Sequence, residues 1–329
     1  MRKFVIDMMG SDAGSAMALA AVKTYHKLHP EDALILVGKT EEFQEAASFA
    51  TLVHASDVIE MEAGALEVIR RKESSMVVAM HTLLEQHADA VISAGSTGAF
   101  LSAATLILKR IPGVLRPALV TGFPNLERGN FVTLLDVGAS NTNTAEEIAQ
   151  FAYMGSLYSQ GAYGIEKPIV KLLSNGSEEG KGSPVGKEAY PLLKADPKVD
   201  FQGNIEASQI FAGSADVVVT DGYTGNIMLK SFEGMAKAMG KLMKQGFTKN
   251  FKTKMGYLLA KSGIDTIKDT MNTKKVGGAM LLGVNGLVVK AHGNSDPEAF
   301  ESAMEVAARL TDAKMIEKIA AGFAKVEQK

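Results

Sequence analysis

Short apolar runs alternate with longer stretches of helical spacing along the whole chain. The runs are KFVID (3–7), ALILVG (33–38), ADAVISAG (88–95), PALVTGFP (117–124), NFVTLLDVGAS (130–140), PIVKLLSNG (168–176), ADVVVTDG (215–222) and GLVVKAHG (286–293). Continuous apolar runs rich in β-branched residues suit parallel strands buried on both faces. Between them, 13–28, 75–87, 98–109, 144–160 and 224–246 carry helical periodicity. The alternation predicts βαβ units and an open α/β sheet. No Pro/Ser/Gly-rich linker divides the chain and no repeat is present, so 1–329 reads as a single domain. Nearly every run ends in Gly, Ser, Thr, Asn or Asp. Open parallel sheets bind ligands outside the carboxyl ends of their strands. The turns are therefore expected to share one cleft, although polar residues are also what ordinary turns contain.

One segment departs from the pattern. Residues 234–262 are rich in Met and Lys, with Met239, Leu242, Met243, Phe247, Phe251, Met255, Leu258 and Leu259 spaced as on helices. A helical pair projecting from the sheet accounts for it. Such a surface packs a partner subunit, binds an acyl chain or lies on a membrane with its lysines outward. A plain core-facing helix has the same pattern.

Composition narrows the classes. The chain is 46% hydrophobic and 22% charged, with a net charge of -2. No basic field calls for nucleic acid. The absence of Cys excludes disulfides, thiolate zinc sites, iron–sulfur clusters and a cysteine nucleophile. The first residues run into a polar turn too early for a signal peptide. No stretch approaches a membrane span. A cytoplasmic location is expected, with attachment to a membrane surface left open. The six histidines, 26, 29, 54, 81, 87 and 292, show no metal-ligand spacing, and no G-x-G-x-x-G follows the first strand. Neither a metal nor a nicotinamide cofactor is expected.

Four turns carry candidate chemistry. Gly95-Ser96-Thr97-Gly98 before an apolar helix is the shape of an anion cradle, and equally of an ordinary N-cap. Gly176 to Gly182 has the wrong spacing for a P-loop, but it sets Lys181 between two glycines. That lysine reaches an anion or is a surface lysine on a loop. His292 lies in a strand-end turn, where it orients an anion or is structural. The turn after 215–222 offers Asp221, Tyr223, Thr224 and Asn226. No Cys and no defensible Ser-His-Asp order support a covalent acyl-enzyme. The nucleophile is then a second substrate, activated by positioning and electrostatics.

DMMGSD (7–12), ISAGSTGAFL (92–101), GVLRPAL (113–119), LLDVGAS (134–140), QFAYMG (150–155), NGSEEGKG (175–182), FQGNIEASQIFAG (201–213), DVVVTDGYTGNIMLKSFEG (216–234) and VGGAMLLGVNGLVVKAHGNS (276–295) occur in one order. Together they resemble the phosphate acyltransferases called PlsX, over almost the whole chain. The resemblance implies a three-layer α/β/α Rossmann-like fold of the isopropylmalate-dehydrogenase and phosphotransacetylase kind. It implies transfer of a long-chain acyl group from acyl-[acyl carrier protein] to inorganic phosphate. The acyl phosphate then serves phospholipid synthesis through a downstream glycerol-3-phosphate acyltransferase. It implies no cofactor, a homodimer and peripheral attachment to a membrane.

By position, the family's catalytic lysine and asparagine fall on Lys181 and Asn226. Gly95, Ser96, Thr97, Gly98, Asn204, Asp221, Thr224, Gly225 and His292 form the implied phosphate and substrate pocket. Asp221, like Asp7, Asp12 and Asp136, fixes loops and donors, since bare carboxylates repel phosphate. The resemblance implies an acidic carrier protein, for which Lys241, Lys244, Lys249, Lys252 and Lys254 are the candidate docking patch. The same segment is a candidate for touching lipid with Phe247, Phe251, Met255, Leu258 and Leu259, and the sequence does not choose between the two roles. The chain departs from the family where members read A-M-G-G-D-H: here Met8-Met9-Gly10-Ser11-Asp12-Ala13 lacks the second Gly and the His. Ser140 also precedes Asn141 where an Asn usually follows LLDVGA, and LLSNGSEEGKG replaces an Asn-Ile-Gly version of the loop. Three alternatives are a short-chain phosphotransacetylase acting on acyl-CoA, a metal-dependent decarboxylating dehydrogenase, and a non-catalytic carrier-protein or lipid-binding module. The dehydrogenase needs an Asp ligand cluster and a nicotinamide site, and neither pattern is found.

Overall fold

A computed structural model describes residues 1–61, 63, 64, 66–270 and 277–324. Val276, the first residue of the 276–295 stretch, lies outside them. The first half contains β1 (Lys3–Asp7), α1 (Gly14–Leu28), β2 (Ala33–Gly38), β3 (Thr51–His54), α2 (Glu67–Arg70), α3 (Ser75–Glu85), β4 (Ala90–Ser93) and α4 (Thr97–Ala103), which continues as a π-turn to Leu108. The middle contains β5 (Ala118–Pro124), β6 (Phe131–Leu135), α5 (Ala145–Tyr163), β7 (Ile169–Ser174), α6 (Pro184–Ala195), β8 (Asp200–Glu206) and β9 (Val217–Val219). The rest contains α7 (Gly222–Thr248), α8 (Phe251–Thr270), β10 (Ala279–Leu282), β11 (Leu287–Lys290), α9 (Pro297–Asp312) and α10 (Met315–Phe323).

The strands form one sheet in the order β3-β2-β1-β4-β11-β10-β5-β6-β9-β7-β8. All eight apolar runs are strands of it. The other three, β3, β8 and β10, lie at the two sheet edges or are four residues long. The edge strand β8 reads DFQGNIE, and only two of its seven residues are buried, so it lacks the apolar run that marks a buried strand. Side chains alternate across the sheet as the pleat requires. Phe4 and Ile6 face one layer with Tyr25 of α1, Phe151 of α5 and Phe300 of α9. Val5 faces the other with Val77 of α3 and Phe100 of α4. On that second face, Leu134 and Val218 pack under the first turns of α7. Leu101 and Ala139 touch both clusters of the second face.

The strands do not all run one way. From β3 to β11 every pairing is parallel. The pairings β11–β10, β10–β5 and β5–β6 are antiparallel. From β6 to β8 the pairings are parallel again. Three reversals leave the two parallel halves pointing in opposite directions. Their carboxyl ends therefore lie at opposite edges of the sheet, and the turns do not gather at one edge as the pattern alone suggested.

Asp216 staples the second half. It is 2% exposed. One carboxylate oxygen accepts the Ile169 N–H at 2.9 Å, and the other accepts the Arg128 guanidinium at 2.7 Å. Its backbone joins β6 through Thr133 and β7 through Ile169. An Asp216→Ala variant should lose about 2–3 kcal/mol of unfolding free energy in urea titration, because a buried N–H is left without its acceptor. A loss well below about 1 kcal/mol would show that Asp216 is not a staple.

Candidate active site

Each half contributes a group of turns. At the first edge, Asp7 is 1% exposed. Its carboxylate accepts the Ser93 hydroxyl at 2.6 Å and the Met9 N–H at 3.1 Å. Ser93 in turn accepts the Gly95 N–H at 3.1 Å. Gly10 lies against the backbone of Gly95 so closely that a Cβ there would overlap it. The Asp12 N–H donates to the Gly293 carbonyl, and the Ala291 N–H donates to the Ser93 carbonyl. The three turns after β1, β4 and β11 are thus one hydrogen-bonded unit. It contains Gly95 and Ser96, both buried, and Thr97, Gly98 and His292, which are exposed.

At the second edge, the Asp136 carboxylate is fully buried. It accepts N–H groups from Leu119, Gly138, Ala139 and Ser140 at 2.9–3.0 Å. Burial pushes its carboxyl upward from the ordinary carboxylate range, and the hydrogen bonds oppose that shift. The start of α7 presses on this loop. A Cβ at Gly222 would overlap the Ser140 carbonyl, and one at Gly225 the Asp136 carbonyl. Only glycine permits that approach. Asp221 caps the helix, accepting the Thr224 N–H at 2.9 Å and the Thr224 hydroxyl at 2.7 Å. The polar side-chain atoms of Asp221 and Thr224 are thereby engaged with each other. Asn226, exposed, lies beside Gly138 at the mouth.

Lys181 sits at the end of β7, one strand from this turn. Its N–H donates to the Glu178 carbonyl, and the Gly182 N–H donates to Asn175. Asn204 is 4% exposed and donates to the same Glu178 carbonyl at 2.7 Å, so it supports the lysine loop from below. The Asn204 carboxamide oxygen and the Ser140 and Ser174 hydroxyls are buried without a partner among the described residues. Lys181 itself is exposed.

Helix α7 joins the two groups. It begins at Asn226's end and climbs the second face of the sheet. Phe232 is held 5.0 Å from Phe123 and 5.1 Å from Phe211, centroid to centroid. Further up, the charges of Glu233, Lys230 and Lys237 act on His292. Seven residues separate Asn226 from Glu233, which is about 10 Å of helix rise. The two groups therefore both lie along α7. Loss of water, the largest influence, pushes His292 down from the ordinary histidine range. Glu233 opposes the shift, while Lys290, Lys230 and Lys237 reinforce it.

The sequence reading missed Lys290. It ends β11 opposite Ser93 and is 6% exposed. Its ammonium donates to the Ala291 carbonyl. Burial pushes it down to about 8, against the opposing pull of Asp7 and Asp12. The signal was present as a lysine closing the apolar run GLVVK.

Beyond these two groups, α7 and α8 form the projecting pair. Their Phe247 and Tyr257 rings meet at 5.5 Å. Met235, Leu242, Phe251, Leu258 and Leu259 are exposed, as are Lys241, Lys244, Lys249, Lys252 and Lys254. No helix among the described residues is long and apolar enough to cross a membrane. One group, His29, Glu31 and Asp32, has the spacing of metal ligands. The Arg2 guanidinium already occupies it, bonding Asp32 at 2.8 Å and His29 at 3.2 Å.

Comparison with known proteins agrees with this architecture. A family model described as "Fatty acid synthesis protein" matches residues 2–318. The phosphate acyltransferase of Staphylococcus haemolyticus is 41% identical over 318 residues, spanning 96% of this chain and 97% of its own length. That of Pediococcus pentosaceus is 41% identical over 328 residues, spanning 98% and 94%. In solved structures, the EutD phosphotransacetylase from Staphylococcus aureus matches with a TM-score of 0.60 at 17% identity, over 94% of each chain. That likeness is one of fold.

Lys290 makes stability depend on pH. Its folded-state value lies below the unfolded one, so the unfolded chain binds more protons between about pH 8 and 10.5. Stability contributed at this site should rise as pH increases through that window. Urea unfolding at pH 7 and pH 10 should show wild type gaining on Lys290→Met by about 1–3 kcal/mol. A constant difference between the two proteins would contradict the burial of this charge.

Proposed function

The chain belongs to the fatty acid synthesis protein family, which makes it an acyltransferase like its phosphate acyltransferase relatives, and we propose that it moves a long-chain acyl group from acyl-[acyl carrier protein] to inorganic phosphate. The observation behind this reading is 41% identity to phosphate acyltransferases over nearly the whole chain. The proposed reaction needs no enzyme nucleophile, in keeping with a chain that has no Cys. A phosphate oxygen attacks the thioester carbonyl, forming the C–O bond. The tetrahedral oxyanion collapses, the C–S bond breaks, and the carrier's sulfur leaves with a proton as the thiol. In this reading Lys181 holds the phosphate and offsets its charge. The Asn226 carboxamide donates to the thioester oxygen as negative charge develops. The locked contact of Gly225 on the Asp136 loop supports that role, because a donor fixed before reaction stabilises charge without reorganising. The first-edge residues Gly95, Ser96, Thr97, Gly98 and His292 complete the anion pocket, with Asn204 supporting the lysine loop.

The reading includes docking of the acidic carrier protein on Lys241, Lys244, Lys249, Lys252 and Lys254, which weakens with salt. It includes a homodimer and attachment to a membrane surface, supported by the exposed apolar side chains of α7 and α8. A glycerol-3-phosphate acyltransferase consumes the product.

Two measurements test this. Palmitoyl-[acyl carrier protein] and phosphate should yield acyl phosphate, trapped with hydroxylamine, and acetyl-CoA should not replace the donor. Asn226→Ala and Lys181→Ala should each lower turnover by about 10²–10³ with the thermal midpoint unchanged, since both side chains are exposed. Near-full activity in either variant removes that residue's assignment. Replacing Lys241, Lys244 and Lys249 together with Glu should raise the carrier-protein KM. An unchanged KM eliminates this docking patch.

A further inference from the structure

A cavity of about 270 Å³ opens on the second face of the sheet, between α4 and the middle strands. Leu101 and Thr105 line it from α4 and its π-turn, Leu281 from β10, and Ala139 from the loop after β6. Arg110 and Arg116, from the connection between α4 and β5, complete it. Nothing in the acyl-transfer chemistry described above uses these two cations.

Three features make it a built site. First, both guanidinium groups are oriented by the fold. The Arg116 Nε donates to Glu147 at 3.1 Å, and Glu147 is itself fixed by the α5 capping box. The Arg110 Nη1 donates to the Leu115 carbonyl, and its backbone bridges to Val284. An arginine has five N–H donors, so both keep donors for an anion. Second, the wall mixes aliphatic side chains with Thr105, which suits a ligand that is neither pure hydrocarbon nor fully polar. Third, the cavity is continuous with the candidate site. Ala139 follows Gly138, which lies beside Asn226. Arg116 is three residues from Leu119, whose N–H is bound to Asp136.

Resting on the reading of the chain as an acyltransferase acting on thioesters, we propose that this groove receives the 4′-phosphopantetheine arm of the acyl donor, with Arg110 and Arg116 on its phosphate. The arm has two amides, a dimethyl-bearing carbon and one phosphate. The phosphate meets the two arginines, and the remainder of the arm meets the mixed wall of Leu101, Thr105 and Leu281. A carboxylate near the cations, Glu147, is already committed to Arg116 and to its own helix cap.

The arm is common to acyl carrier proteins and coenzyme A, so the test separates the sources. Calorimetric titration of the intact protein with 4′-phosphopantetheine reads the groove without turnover. The double variant Arg110→Ala/Arg116→Ala should weaken binding at least about tenfold, the loss expected for charge-assisted hydrogen bonds. Pantetheine without the phosphate should bind both proteins alike. In the transfer assay, the variant should raise KM for palmitoyl-[acyl carrier protein] and palmitoyl-CoA in parallel. Palmitoyl-N-acetylcysteamine, which lacks the phosphate, should be used equally by both. Failure of wild type to bind the arm, or equal losses with every donor, overturns the proposal. A rise in KM for the carrier protein alone assigns the arginines to the protein surface and overturns it too. Arm binding without acyl phosphate from any donor would instead count against the proposed reaction while leaving the groove assigned.

Discussion

The second half of the site depends on one desolvated carboxylate. Asp136 has lost its water, and an ionised carboxylate in that position must be given donors. Leu119, Gly138, Ala139 and Ser140 supply them from the backbone. Four donors converging on one side chain curl the loop into a fixed shape. Gly222 and Gly225 can then lie flat on it, which sets where α7 begins and in which direction it leaves. Asn226 and Ala139 are consequences of the same loop. One meets the mouth of the site, and the other turns into the groove under α4. The Phe123, Phe211 and Phe232 rings then keep the helix on that line.

The reversal of strand direction gives the site its shape. In a sheet of one polarity, all strand ends would converge on one crevice. Here the ends lie at opposite edges, and α7 crosses between them. The candidate residues are therefore distributed along α7 between the two edges rather than around a point.

Much of this was legible in the pattern of residues. The eight apolar runs are strands, and the Met- and Lys-rich segment is an exposed helical pair. Gly222 and Gly225 stood out as a turn, though only the structure shows what they lie against. Strand polarity was not legible. Periodicity reports which faces are buried, and both directions of a buried strand read alike. That is why the polar turns at the strand ends looked like one cleft. Lys290 escaped because a lysine at the end of a run reads as its polar boundary. Its ammonium is instead folded back into the protein beside Ser93 and Asp7. Arg110 and Arg116 escaped because neither lies at the carboxyl end of a strand, although Arg116 sits within the GVLRPAL stretch.

Lys181 and Lys290 illustrate how position changes the chemistry of one kind of side chain. Lys181 is exposed between glycines, where its charge is hydrated. Lys290 is enclosed, where burial weakens its hold on a proton and nearby carboxylates restore part of it. Asp7 and Asp12 place negative charge at the first edge. Lys290 lies close to both, so it offsets that charge from within rather than reaching outward. An arginine there would keep its charge regardless of burial but brings five donors needing partners. A lysine asks for fewer, and the Ala291 carbonyl already takes one. The first edge thus sets a buried cation against its carboxylates, and the second edge carries an exposed one.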